Sequence, residues 1–194
     1  MSRIPPVDVA GFDPRLTDIF NRATGNGAHF AEQFAVMAHV GPAVDFLYPM
    51  LQALKARGGI SQRHLELAIV VVSQINACTY CVDTHGPRLT VEGISPDGVA
   101  SLLQYADHPE LTDVDKLVVE YAVGVTQAPE RIRDGVFNRL HQVFDDKQIV
   151  ELTLRIALCG FFNRFNHALQ IGEDAVTAEL AAPESVSTST GTAS

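Results

Sequence analysis

Residues 65–89 read LELAIVVVSQINACTYCVDTHGPRL. Leu65, Ala68, Ile69 and Val72 recur at intervals of three and four, which is the spacing of one helix face. The β-branched run Ile69–Val72 would also suit a buried strand. The length of the segment and its spacing favour a buried helix, with Ser61 placed to cap it. Asn76-Ala77 then interrupts that helix, so the cysteines behind it fall at the start of a second one. Cys78, Cys81 and His85 sit at offsets 0, 3 and 7, on one helix face within about 60°. Gly86-Pro87 is expected to bend or end this second helix, or to start a new one at Pro87.

The residue types define a small set of chemistries. Sulfurs one turn apart can form a disulfide with modest adjustment. Unpaired N–H groups at a helix N-terminus favour a thiolate. His85 can relay a proton, and Glu66 on the neighbouring helix can take or return one. A dithiol with an acid/base and a relay meets the needs of peroxide reduction. A zinc site built from Cys78, Cys81, His85 and Glu66 is an alternative, although no second cysteine or histidine pair accompanies it. A thioredoxin-like C-x-x-C would follow a strand, against the helical reading on both sides. Inert core cysteines are the remaining alternative. Cys159, alone on an apolar helix face, reads as packing. His167 is a further candidate, on the helix expected to face the site, whereas His29, His39, His64, His108 and His141 read as surface or core polar residues.

Outward from this stretch the chain reads as helices throughout. Asp13 and Pro14 open one, and residues 29–40 form a second, stopped by Gly41-Pro42. A third carries Val44, Leu47, Leu51 and Leu54 and ends at Gly58-Gly59, with Pro49 expected to kink it or mark a boundary. Ser95-Pro96 starts a helix through Ala106, and Thr112 starts one ending near Thr126. Pro129 and Asp145 start the last two, Asp145 with Gln148 forming a capping box. The last helix, Lys147 to Gly172, is apolar around most of its circumference, as a helix buried on all sides would be; cover from another subunit is expected. At an offset of 85 residues Glu66 falls on Glu151, Cys78 on Asn163 and Cys81 on Asn166, which is compatible with an internal helix-hairpin duplication. One all-helical domain is expected over 1–180, with a low-complexity, disordered tail over 181–194.

The chain has 194 residues, is 46% hydrophobic and carries a formal charge of −9. An acidic surface repels phosphate backbones, so nucleic acid is not an expected partner. The most apolar segment, Leu67 to Val72, is too short to span a bilayer, and the N-terminus has no run suited to a secretory signal. The expectation is a cytoplasmic protein without a membrane partner. In that compartment a close cysteine pair is more often catalytic or metal-binding than structural.

The pattern E-x11-C-x-x-C-x3-H in an all-helical chain, with FFNRFNHAL downstream, resembles the alkyl hydroperoxidase D-like, carboxymuconolactone decarboxylase family over roughly Phe34 to Leu169. The resemblance implies an all-α fold assembled as a trimer or hexamer. It implies a thiol peroxidase or dithiol reductase, with no cofactor, that uses Glu66, Cys78, Cys81 and His85. Cys81 would meet the peroxide, Cys78 would resolve the product, and a dithiol protein or small thiol would restore the pair. The best-known peroxidases of the family carry a histidine just before the second cysteine, where this chain has Tyr80. The family's decarboxylases lack the cysteine pair. A decarboxylase- or hydratase-like enzyme using Glu66 and His85, and a redox-sensing scaffold, are the alternative functions.

Overall fold

The computed structural model describes residues 2–172. The expected tail over 181–194, and the last residues of the expected domain, lie outside them. Among the described residues every regular element is helical: α1 (Pro14–Thr24), α2 (Ala31–Met37), α3 (Gly41–Arg57), α4 (Gln62–Ile75), α5 (Thr79–Val91), α6 (Pro96–Ala100), α7 (Asp113–Gln127), α8 (Asp134–Leu140) and α9 (Asp146–Leu169), with three short 3-10 turns. The all-α expectation therefore holds.

The segment that could have been a strand is the central helix. α4 packs against α5, α7 and α9, so Leu67, Ala68, Val70, Val71 and Val72 are all fully buried. β-branched residues form helices slightly less readily than leucine or alanine. That penalty, a few tenths of a kcal/mol each, is small against about 1.5–3 kcal/mol per buried aliphatic side chain. Arg63 ties α4 to α7. It donates to both oxygens of the buried Asp115 and to the carbonyls of Glu92 and Glu110.

A second apolar cluster joins α1, α2 and α3 through Ile19, Phe34, Met37, Val44 and Tyr48. Phe162 and Phe165 of α9 pack onto it, while Ile149, Leu152 and Ile156 of α9 pack into the first cluster. Two intramolecular cores therefore account for much of the apolar circumference of α9. Burial on all sides does not hold within one chain, because Val150, Leu154 and Phe161 remain exposed.

Other boundaries differ for local reasons. Pro49 lies inside an unbroken α3, and Pro87 lies inside an unbroken α5; neither ends its helix, and each removes only one backbone donor. Gly41-Pro42 supplies the first turn of α3 as well as following α2. The helix expected through Ala106 breaks at Ser101, whose hydroxyl bonds back to the Asp97 and Gly98 carbonyls, and continues as a 3-10 turn, Leu102–Asp107. Pro129 opens a 3-10 turn, and α8 starts at Asp134. α9 runs unbroken where α4 and α5 are separated, so the repeat-related segments match as helix against helix but not as hairpin against hairpin.

Candidate active site

The reversal between α4 and α5 is made by backbone geometry. The Cys78 N–H bonds to the Ser73 carbonyl at 2.9 Å and the Ala77 N–H to the Gln74 carbonyl at 3.1 Å. Ala77 takes the left-handed conformation, φ +55°, which completes a Schellman turn with alanine where glycine is usual. α5 starts immediately after it, with Cys78 as N-cap. Cys78 and Cys81 are joined as a disulfide, their Cα atoms 5.4 Å apart. The expected position of the pair at a helix N-terminus is what the structure has.

The same reversal brings Glu66 to His85, which lie at nearly equal distances along the chain on either side of it. Glu66 is 1% exposed. Its carboxylate accepts from His85 Nδ1 at 2.5 Å, from Gln62 Nε2 at 2.5 Å and from Arg88 Nη1 at 3.4 Å. Burial alone would raise its pKa. The His85 hydrogen bond and charge, together with Arg88, outweigh burial and hold it below the ordinary carboxylate value. With Nδ1 committed to Glu66, Nε2 is the imidazole nitrogen left for chemistry.

The third wall comes from α9. The side-chain amides of Asn163 and Asn166 donate to Cys81 Sγ at 3.1 and 3.4 Å, and both residues are essentially buried. Each is held in turn. Asn163 Oδ1 accepts from Asn76 Nδ2 at 3.0 Å, and Asn166 Oδ1 accepts from Gln33 Nε2 at 2.9 Å. Tyr48 donates to the far end of Gln33. Reading the sequence missed this pair. Its trace is two asparagines three apart in a helix otherwise apolar on that side.

A cavity of about 330 Å³ opens in front of Cys81. Glu66, His85 and Cys81 line it, and Cys78 does not. Its roof is the loop before α2, where Phe30 sits in a left-handed conformation, its ring centroid 5.4 Å from that of His85 and 5.3 Å from that of Tyr80. Burial, and then the charge of Glu32, push the Tyr80 hydroxyl up to about 12, so it stays neutral at physiological pH. Gly172 leaves room for this ring, since a Cβ there would clash with it.

The further candidate His167 falls elsewhere. His167 Nε2 lies 3.0 Å from the Asn76 carbonyl, at the turn and away from the cavity lining. Cys159, read as packing, is buried against Ser73 and contributes to the cavity lining; burial pushes its thiol up to about 11 against the opposing Ser73 and Asn163 hydrogen bonds. Among the described residues no three His, Cys, Asp or Glu side chains converge as metal ligands.

Residues 42–113, which hold α3 to α5 and the whole Glu66, Cys78, Cys81 and His85 constellation, match the carboxymuconolactone decarboxylase family model. The match covers less than half of the chain. The chain is 29% identical over 100 residues to the uncharacterised Escherichia coli (strain K12) protein YnjA, covering 52% of this chain and 55% of YnjA. The alignment thus spans about half the length of that relative. Among solved structures, the "alkylhydroperoxidase AhpD core", an uncharacterised peroxidase-related protein from Ralstonia eutropha JMP134, matches at TM-score 0.73 and 20% identity, over 88% of this chain and 90% of that one. The debrominase Bmp8, in complex with 2,3,4-tribromopyrrole, matches at TM-score 0.71 and 18% identity, over 91% and 95%. These structural likenesses extend the shared fold beyond the matched family segment.

Proposed function

We propose that this chain is a thiol-dependent peroxidase in which Cys81 is the attacking sulfur and Cys78 resolves the product. The observation that carries this reading is that Cys81 faces the cavity beside Glu66 and His85 while Cys78 stands behind it. In the reduced protein the Cys81 thiolate attacks the terminal oxygen of a hydroperoxide. The S–O bond forms, the O–O bond breaks, and the alkoxide takes a proton from His85, held in place by Glu66. The Cys78 thiol then attacks the sulfenic sulfur. The disulfide forms, and hydroxide leaves as water with the thiol proton. An external dithiol returns two electrons and two protons. The amides of Asn163 and Asn166 and the first turn of α5 favour the thiolate.

The same electron balance serves a second reading, prompted by the fold shared with the debrominase Bmp8. Thiolate attack on a carbon-bound halogen gives a sulfenyl halide, the carbanion is protonated, and Cys78 displaces halide. An acid/base decarboxylase or hydratase would need neither sulfur. The exposed Val150, Leu154 and Phe161 support self-association through α9.

The test is peroxide consumption with a dithiol reductant, by wild type, Cys78→Ser and Cys81→Ser. Cys78→Ser should form one sulfenic acid, trapped at Cys81, and not turn over; Cys81→Ser should form none. Trapping at Cys78 would reverse the roles. Halide release without peroxide consumption would favour the second reading, and no trapping at either sulfur together with no peroxide consumption by wild type would favour acid/base chemistry or a scaffold.

A further inference from the structure

The chain carries a formal charge of −9, yet the cavity before Cys81 is lined by four cationic side chains, Arg22, Lys55, Arg88 and Arg155, and one carboxylate, Glu66. So large a departure from the overall balance, at the one face that meets the reactive sulfur, calls for a chemical reason.

The cations are not equally available. Arg22 is paired with Asp18 on its own helix. Arg88 shares Glu66 with His85 and Gln62. Arg155 is different. Its Nε is buried and has no hydrogen-bond partner among the described residues. The two carboxylates whose charges reach it, Glu151 and Glu66, are already engaged, Glu151 by Arg57 and Glu66 by His85. Burial acts against the charged form of Arg155, and a desolvated guanidinium gains most from an anion that accepts two parallel hydrogen bonds. Between these charges the walls are apolar: Leu51, Leu65, Ile69, Leu158 and Phe162. The volume, about 330 Å³, is at the lower end of the usual range for small-molecule sites, roughly 300–1,000 Å³.

We infer that the cavity binds an amphipathic carboxylate, its apolar body against Leu65, Ile69 and Phe162, its anionic group on Arg155 with Lys55, and its reacting atom toward Cys81. The inference deepens the peroxidase reading and rests on it for the reacting atom. On that reading the substrate class is the hydroperoxide of a medium-chain organic acid, in preference to a neutral hydroperoxide or hydrogen peroxide.

Two measurements separate the inference from the reading beneath it. The first is calorimetric binding of octanoate and of octanol to full-length Cys81→Ser, which has no peroxide chemistry. Octanoate should bind about tenfold or more tightly than octanol, as expected when a charge-assisted hydrogen bond distinguishes two ligands. That preference should shrink toward unity in the Cys81→Ser protein that also carries Arg155→Gln. Lys55→Met, at an exposed position, serves as the second variant, and circular dichroism checks that each keeps its helix content. Equal affinity for the two probes would overturn the inference, and so would a preference unchanged in both variants. The second is kcat/KM for a fatty-acid hydroperoxide against its methyl ester in wild type. An acid preference of about tenfold or more is expected, and none would overturn the assignment of substrate class. If no hydroperoxide is consumed while the octanoate preference holds, the peroxidase reading falls and the anion site stands.

Discussion

Replacing Asn163 by leucine should raise the pKa of the Cys81 thiol without abolishing the fold. The amide nitrogen is 3.1 Å from Sγ, and both side chains are almost entirely buried. A hydrogen bond to a charged acceptor contributes about 1.5–3 kcal/mol, or roughly one to two pKa units at 1.36 kcal/mol per unit. In a Cys78→Ser background Cys81 is a free thiol, and its alkylation by iodoacetamide can be followed against pH. Below the wild-type midpoint the thiolate fraction should drop about 10- to 100-fold. A more basic thiolate is the better nucleophile, with a Brønsted slope of about 0.4–0.5, which returns roughly three- to eightfold. The net rate near the low-pH end should therefore fall about three- to tenfold, while the plateau at high pH should rise. Crossing of the two curves is the signature. Leaving Asn76 Nδ2 without its acceptor should also cost about 1–3 kcal/mol of stability. A merely loosened protein would alkylate faster at every pH, with no shift in midpoint. Superimposable profiles, or a midpoint moved downward, would refute the role given to this amide.

Glu66→Gln should keep the fold and lower peroxide turnover by about 10²-fold or more; full turnover in a folded variant would remove Glu66 from the mechanism. Asp115 lies well below its ordinary carboxyl pKa, because hydrogen bonds from His64, Arg63 and Thr112 outweigh its burial. A depressed folded pKa gives stability that is fully present above the unfolded value, about pH 4, and lost as pH falls through the folded one. Acid titration of the melting temperature should therefore fall less steeply below about pH 4 in Asp115→Asn than in wild type, and parallel acid limbs would contradict this. Ala77→Gly should stabilise by about 0.5–1 kcal/mol in urea titration. Relief of a left-handed alanine, roughly 1–2 kcal/mol, exceeds the added chain entropy, roughly 0.4–1 kcal/mol, and a destabilised variant would show the turn to be unstrained.

The hairpin that carries the site was legible because each of its parts is local. Helical spacing gives α4, Ser61 caps it, and Asn76-Ala77 breaks it. Glu66 and His85 then meet because the chain turns back between them. The asparagines were not legible. They meet Cys81 from more than eighty residues away, and although FFNRFNHAL and the 85-residue offset singled them out, neither says that their amides donate to Cys81. At Pro49 and Pro87 the helix ends expected as one alternative do not occur, for the opposite reason. Their local penalty is real, but the packing of the helices around them is larger. The exposed strip on α9 reflects the same imbalance, since a run of apolar residues does not say how many neighbours its own chain will provide.

The polar thread from Cys81 through Asn166 and Gln33 to Tyr48 runs from the cysteine pair into the cluster formed by α1, α2 and α3. Its donors favour a thiolate over a disulfide sulfur, so they stabilise the reduced protein and shift the reduction potential of the couple upward. For a two-electron couple about 1.4 kcal/mol corresponds to 30 mV. The oxidising strength of the pair is thus set partly by how firmly α2 and α3 are docked, and a substitution at Tyr48 or Gln33 that never touches sulfur should change which thiols can reduce it.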